Sequence, residues 1–126
     1  MDKIYILFLM IFMHIVDDYY LQGWLASAKQ KKWWEQNAPQ QMYKQDYIMA
    51  LIMHSLSWTF MVMLPIAFSL HFAFSWFYII AFIINATVHG IVDNLKANKF
   101  KINLIQDQTI HLTQILLTFL LFVLLY

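Results

Sequence analysis

The sequence contains no cysteine and no arginine, and it has only two glycines and two prolines among its 126 residues. Without cysteine the chain has neither disulfides nor thiolate ligands, so any bound metal must be held by nitrogen and oxygen. Without arginine, and with a net charge of +1, it lacks the features that indicate a nucleic-acid partner. The scarcity of glycine and proline leaves no room for a flexible linker, so we expect residues 1–126 to form a single membrane domain.

Hydrophobic side chains make up 62% of the chain, charged residues make up 12%, and the mean hydropathy is +0.59. A soluble domain of this size could not bury so many apolar side chains, because its surface is large relative to its volume. Four segments approach the ~20 residues that cross a hydrocarbon core as a helix. They span about residues 4–25, 46–66, 72–94 and 104–126. The sequence therefore predicts an all-α, polytopic membrane protein, an antiparallel bundle of four transmembrane helices.

Lysine placement predicts the orientation of this bundle. The lysines that lie between the first two segments or between the last two are Lys29, Lys31, Lys32 and Lys44, then Lys96, Lys99 and Lys101. By the positive-inside rule both connections face the cytoplasm and both termini face outward, which fits a multi-pass protein of the inner (cytoplasmic) membrane. The connection 26–45 also carries Trp33, Trp34 and Tyr43. It suits either an amphipathic segment at the headgroup level or a partly ordered loop with interfacial anchors.

Polar residues interrupt all four apolar segments, near the end of each that is predicted to face the cytoplasm. In chain order they are His14, Asp17, Asp18, His54, His89, Asp93, Asp107 and His111. Residues three and four apart share a helix face, so Asn85 joins the third stripe and Gln114 the fourth. The same rule places Leu21 on the polar face of the first helix. Charge exposed to lipid is costly, so we expect these stripes to meet inside the bundle.

Four motifs within these segments resemble a known membrane family. They are HIVDDYYLQ at 14–22, HSLSW at 54–58, HGIVDNLK at 89–96 and DQTIH at 107–111. The chain resembles the integral-membrane family called domain of unknown function 3307, found in bacterial and phage genomes. The resemblance covers most of the chain and assigns the first motif position to Asp18 rather than Asp17. It implies shared polar residues and brings no established reaction.

Histidine and aspartate four apart on a helix can bind one metal ion together, as paired ligands of helical metal sites do. The predicted metal ligands are His14, Asp18, His54, His89, Asp93, Asp107 and His111. Zinc is favoured because imidazole dominates this ligand set, and iron or manganese stays open because the set holds so many carboxylates. One ion supported by further carboxylates and two ions both fit the pattern.

The position of these groups near the leaflet boundary predicts a metal-dependent hydrolase for a lipid or lipid-linked substrate. A metal lowers the pKa of bound water from about 15.7 toward about 7, and Asp18 or Asp107 would accept the proton. Lys96 is expected to stabilise the oxyanion or to hold an anionic headgroup. The residues expected to support these groups by hydrogen bonds are Asp17, Gln22 and Gln108.

Two other classes of function remain open. A buried network of the acids, the histidines and Lys96 could relay protons or bind a cation during transport, and four helices would then favour a homo-oligomer. The network could instead serve folding alone, in an interacting membrane protein such as a phage-encoded modulator of a host complex. The fifth histidine, His71, lies away from the polar level, and we expect it to be interfacial.

Overall fold

The structure, a computed structural model, describes residues 2–125, and every regular element within that range is helical. The elements are α1 (Lys3–Ile15), a π-helical turn (Val16–Leu21), α2 (Leu25–Ala28), α3 (Lys31–Asn37), a 3₁₀ turn (Gln41–Tyr43), α4 (Asp46–Ser69), α5 (Trp76–Ala97) and α6 (Leu104–Leu125). Four stretches are long and apolar enough to cross a membrane, judged by length and composition: Lys3–Leu21, Gln41–Ser69, Trp76–Ala97 and Leu104–Leu124. The predicted all-α class with four long apolar helices is confirmed at this level.

Polar side chains at the helix starts explain where three long helices begin. The side chains of Asp2 and Ser75 each accept a backbone N–H from the first turn of α1 and α5. At the start of α6, Asn103 and Gln106 cap each other, since each side chain accepts the backbone N–H of the other at 2.9 and 3.0 Å. Asp107 therefore lies in the first turn of α6, where the helix dipole favours a negative charge.

The four long helices surround a common interior. α4 packs against α1 and α5, and α6 contacts the same two helices. One half of the interior is apolar and is filled by side chains that include Met10, Trp58, Met63, Ile115 and Phe122. The outer surface is also apolar, and the exposed side chains there include Phe8, Met53, Ile83 and Leu117. Large apolar groups thus face outward while many polar groups are buried, the reverse of the pattern in soluble proteins.

The end of the first predicted helix differs from the sequence expectation. The segment predicted as one helix over 4–25 is α-helical to Ile15 and π-helical from there to Leu21. Because each N–H of a π-helix bonds to the fifth residue back, later side chains rotate away from the positions that α-helical spacing predicts. Asp17 and Asp18 both turn inward, whereas Leu21 is 59% exposed. The prediction that Leu21 shares the polar face is wrong for this reason.

The turn between α4 and α5 lies later in the chain than predicted. α4 continues through Pro65 to Ser69, and α5 begins at Trp76 rather than near residue 72. His71 and Phe72 adopt positive φ angles of 52° and 58°, which end the helical path of the chain. His71 is exposed in this turn, away from the buried histidines.

The connection 26–45 contains α2, α3 and the 3₁₀ turn. It is therefore more helical than the partly ordered loop that the sequence left open. Its aromatic rings and the ring of Trp24 just before it contact one another, with centroid distances from 5.0 to 6.2 Å: Trp24, Trp33, Trp34 and Tyr43. Trp24 is 60% exposed at the outer edge of this group. Lys29, by contrast, is buried and points toward the interior of the four long helices.

Candidate metal centre

Six buried acids and histidines form one cluster, which we call the His/Asp centre: Asp18, His54, His89, Asp93, Asp107 and His111. Three sets of three residues each bring one ligand atom per residue within 4.8 Å of the others. The sets are Asp18 with His54 and His89, His89 with Asp93 and His111, and Asp18 with Asp107 and His111. Because the sets share members, they make one continuous site with several ways to hold an ion.

Helical spacing explains how two pairs of this centre arise. On α5, His89 Nε2 lies 3.5 Å from Asp93 Oδ2, and on α6, His111 Nε2 lies 3.3 Å from Asp107 Oδ1. Both pairs are four residues apart, the spacing that puts two side chains on one face of a helix. The packing of α6 against α5 then brings the two pairs together.

Asp93 is the common partner of the centre. Its Oδ2 accepts a hydrogen bond from Lys29 Nζ at 2.8 Å and lies 3.5 Å from Nε2 of both His54 and His89. Its Oδ1 lies 3.3 Å from His111 Nε2. One carboxylate therefore meets side chains from α4, α5, α6 and the end of α2, so its position depends on the whole fold.

A hydrogen-bonded relay fixes the orientation of the His111 ring. Gln114 donates its amide N–H groups to the backbone and side-chain oxygens of Asn85, at 3.1 and 3.2 Å. Its Oε1 therefore faces His111 Nδ1, at 3.0 Å, and that nitrogen must donate. In neutral His111 the lone pair of Nε2 then points at the carboxylates of Asp93 and Asp107. Such an arrangement requires a proton or a metal cation between these groups.

His14 takes a different position from the one predicted for a metal ligand. Its Nδ1 accepts a hydrogen bond from Trp58 Nε1 at 2.8 Å, so its Nε2 carries the proton and donates to Gln108 Oε1, also at 2.8 Å. Gln108 Nε2 in turn donates to Asp18 Oδ2 and Asp107 Oδ2, each at 2.9 Å. With both ring nitrogens engaged, His14 orients Gln108 and lies outside the three ligand sets.

Several buried polar atoms at the centre have no hydrogen-bond partner among the described residues. They are both ring nitrogens of His89, Nδ1 of His54, Oδ1 of Asp107 and Oδ2 of Asp17. His89 is completely buried, and its ring packs against the rings of Trp58 and His111, with centroid distances of 4.2 and 4.0 Å. A buried polar group without a partner costs about 1–3 kcal/mol, so these atoms mark the place where a bound ion would supply partners.

The charge of the cluster also fits a cation. Around the centre lie four carboxylates, Asp17, Asp18, Asp93 and Asp107, and two ammonium groups, Lys29 and Lys96. Four negative and two positive charges leave a formal charge of −2 when the histidines are neutral. Uncompensated charge in a buried site is expensive, and one divalent cation would balance it. Donors limited to imidazole nitrogen and carboxylate oxygen suit zinc, iron or manganese.

Asp17 and Gln22, both predicted to support the site by hydrogen bonds, take different positions. Asp17 accepts a hydrogen bond from Ser57 Oγ at 2.6 Å, and its other oxygen lies 3.8 Å from His54 Nδ1. Gln22 donates to the backbone oxygen of Asp18 at 2.9 Å, so it holds the π-helical turn rather than a side chain of the centre. Lys96 lies at the edge, with a side chain 29% exposed and Nζ 3.0 Å from Asp107 Oδ2.

Sequence reasoning misses two members of the site, Lys29 and Trp58. In the sequence, Lys29 is one of several lysines that indicate topology. In the structure, Asn98 Nδ2 donates a hydrogen bond to the backbone oxygen of Lys29 at 2.9 Å, and the Lys29 side chain enters the centre. No local sequence signal distinguishes Lys29 from the neighbouring lysines. Trp58 could have been found, because it lies four residues after His54 and shares its helix face.

Comparisons with family models, with curated proteins and with solved structures gave no match for this chain. The resemblance to the membrane family described above therefore stays a prediction. The class defined so far is an all-helical protein with four apolar helices long enough to span a membrane and a buried His/Asp group that could coordinate a metal. Its function has to be argued from that geometry.

Proposed function

We propose that this chain is a polytopic membrane protein in which the four long helices form an antiparallel bundle around a divalent-cation site. Membrane insertion is supported by the exposed apolar side chains on the outer surface and by the acids and histidines buried inside. The antiparallel arrangement is supported by short connections, 70–75 between α4 and α5 and 98–103 between α5 and α6. Helices joined so closely pack as antiparallel neighbours.

The observation that carries the cation proposal is His89. It is fully buried, neither ring nitrogen has a hydrogen-bond partner within residues 2–125, and its Nε2 faces Asp93 Oδ2 at 3.5 Å. His89, Asp93 and His111 form a two-histidine, one-carboxylate set that suits zinc, iron or manganese. We place zinc first because two of the three donors in this set are imidazoles.

We further propose that the cation serves hydrolysis of an ester or phosphoester bond in a lipid or lipid-linked substrate. A divalent cation in such a site would supply a water molecule that loses its proton readily. Asp107 suits the role of proton acceptor better than Asp18, because no described residue donates a hydrogen bond to Asp107 Oδ1, whereas both oxygens of Asp18 are engaged. Lys96, partly exposed at the edge of the centre, suits an anionic headgroup.

Transport of a proton or cation has less support. Beyond the Asn85 and Thr118 level, the interior among the described residues is filled by apolar side chains such as Met63 and Phe119. A transported ion needs polar groups on both sides of the site, and these helices offer them on one side. The one-sided arrangement favours a reaction at the membrane surface.

The hydrolase proposal can be tested with purified protein in mixed micelles. The protein is incubated with radiolabelled bacterial phospholipids, and release of water-soluble and fatty-acid products is measured with zinc, after chelation and after zinc is restored. We expect product release that follows the metal and falls about 10²-fold or more in Asp107→Asn. His71→Ala, which changes a histidine outside the centre, should keep full activity. Metal-loaded protein that releases no product from any phospholipid class would contradict hydrolysis and leave the cation site to be judged by its metal content.

A further inference from the structure

A cleft of about 220 Å³ lies between α3 and the 3₁₀ turn, outside the His/Asp centre. Its lining includes Lys31, Trp34, Glu35, Pro39, Tyr43 and Lys44. We propose that this cleft binds the phosphate headgroup of an anionic phospholipid. The site rests on the membrane insertion proposed above, but it does not depend on the metal or on hydrolysis.

The charge of the cleft favours an anionic ligand. Lys31 and Lys44 are both exposed, and none of the ion pairs among the described residues involves either of them. Together with Glu35 they give the lining a charge of +1, and Lys32 beside it raises the local charge to +2. A lysine ammonium is a strong donor to phosphate oxygens, and unpaired lysines near a membrane attract anionic lipid.

The aromatic wall of the cleft indicates the level of the headgroups. The rings of Trp34 and Tyr43 are stacked at 24°, with centroids 6.2 Å apart, and Trp34 Nε1 donates to the backbone oxygen of Ala28 at 2.9 Å. Such amphipathic rings favour the boundary between hydrocarbon and water. Trp24, just before the connection 26–45, and Met42 within it are 60% and 76% exposed. They provide the apolar side chains that an interfacial segment inserts beside its lysines.

The cleft is held in place by the fold. The backbone N–H of Lys31 donates to Asn98 Oδ1 at 2.7 Å, which attaches the start of α3 to the end of α5. Two residues earlier, Lys29 is bonded to Asp93 inside the four long helices. Because these two hydrogen bonds already fix the start of α3, little conformational entropy is lost when a lipid binds. A low entropy cost favours specific binding of one lipid over non-specific electrostatic attraction.

The test is competition between two lipids, read by native mass spectrometry. Delipidated protein in detergent is mixed with equal amounts of phosphatidylglycerol and phosphatidylcholine, and the lipid retained per chain is counted. We expect wild type to retain one phosphatidylglycerol in preference to phosphatidylcholine. The Lys31→Gln/Lys44→Gln variant should lose this preference about tenfold. The matched control, Lys99→Gln/Lys101→Gln, removes the same charge from exposed lysines elsewhere and should change it less than about twofold.

Three results would overturn the site: no preference in wild type, equal losses in both double variants, or displacement of the lipid by glycerol phosphate, which would identify a site for free phosphate compounds. Fractionation of cells expressing each variant separates this proposal from the function proposed above. A chain that sediments with membranes but shows no lipid preference contradicts the cleft alone. A chain that stays soluble contradicts membrane insertion and the cleft together.

Discussion

Replacing Lys29 with Met tests whether the centre needs the ammonium group that α2 supplies. Lys29 Nζ lies 2.8 Å from Asp93 Oδ2, and the two side chains are 6% and 2% exposed. Methionine keeps most of the length of the side chain but removes its charge, leaving Asp93 buried without its strongest partner. Removing one member of a buried ion pair typically costs 3–5 kcal/mol, so we expect the metal-free Lys29→Met protein to lose about that much free energy of unfolding.

The assay is reversible unfolding by SDS in mixed micelles, followed by tryptophan fluorescence and far-UV circular dichroism, with and without zinc. Lys96→Met is the control: its side chain is 29% exposed, so its loss should stay within about 1 kcal/mol. Lys29→Met/Asp93→Asn should recover most of the lost stability, because no unpaired charge remains. Zinc should stabilise Lys29→Met more than wild type, since the ammonium no longer occupies an oxygen that a cation would use.

Two results would refute this reasoning. The first is a free energy of unfolding for metal-free Lys29→Met within about 1 kcal/mol of wild type, well below the cost of an uncompensated buried charge. The second is a double variant that is no more stable than the single variant. Either result would mean that Asp93 does not depend on Lys29 to keep its charge inside the fold.

Two further predictions concern packing and orientation around the centre. Gly90→Ala would place a Cβ 2.8 Å from Ser55 Oγ, so it should destabilise the protein by about 1–3 kcal/mol in the same SDS titration, and adding Ser55→Ala should relieve most of this loss. An equal loss in the double variant would show that the strain lies elsewhere. Gln114→Leu removes the acceptor that orients His111, and zinc affinity measured by chelator competition should fall about 10–100-fold. Unchanged affinity would rule out this orienting role.

The parts of the site that depend on helical periodicity could be predicted from the sequence. His89 and Asp93, and likewise Asp107 and His111, lie four residues apart in long apolar helices, so each pair had to share a face. Because exposing charged side chains to lipid costs free energy, both faces had to point inward. The burial of Gln114 follows from the same rule, because it lies three residues after His111.

The parts that depend on tertiary packing could not be predicted. The sequence VDDYYL carries no local signal for a π-helical turn, so the outward position of Leu21 follows only from the fold. His14 Nδ1 accepts its hydrogen bond from Trp58, which lies 44 residues later in the chain, so local sequence could not predict that both ring nitrogens of His14 are bonded. Lys29 reaches Asp93 because α2 folds back against α4.

The central claim, a divalent cation held by the His/Asp centre, is tested most directly by elemental analysis of detergent-purified protein. Wild type, His89→Ala/His111→Ala and the control His71→Ala are prepared from cells supplied with zinc, iron and manganese, and the metal per folded chain is counted. The double variant removes a ligand from each of the three candidate sets. The account predicts about one divalent ion per chain in wild type and in His71→Ala, and its loss from His89→Ala/His111→Ala. Folded wild-type protein without metal, or equal metal in the double variant, would contradict it.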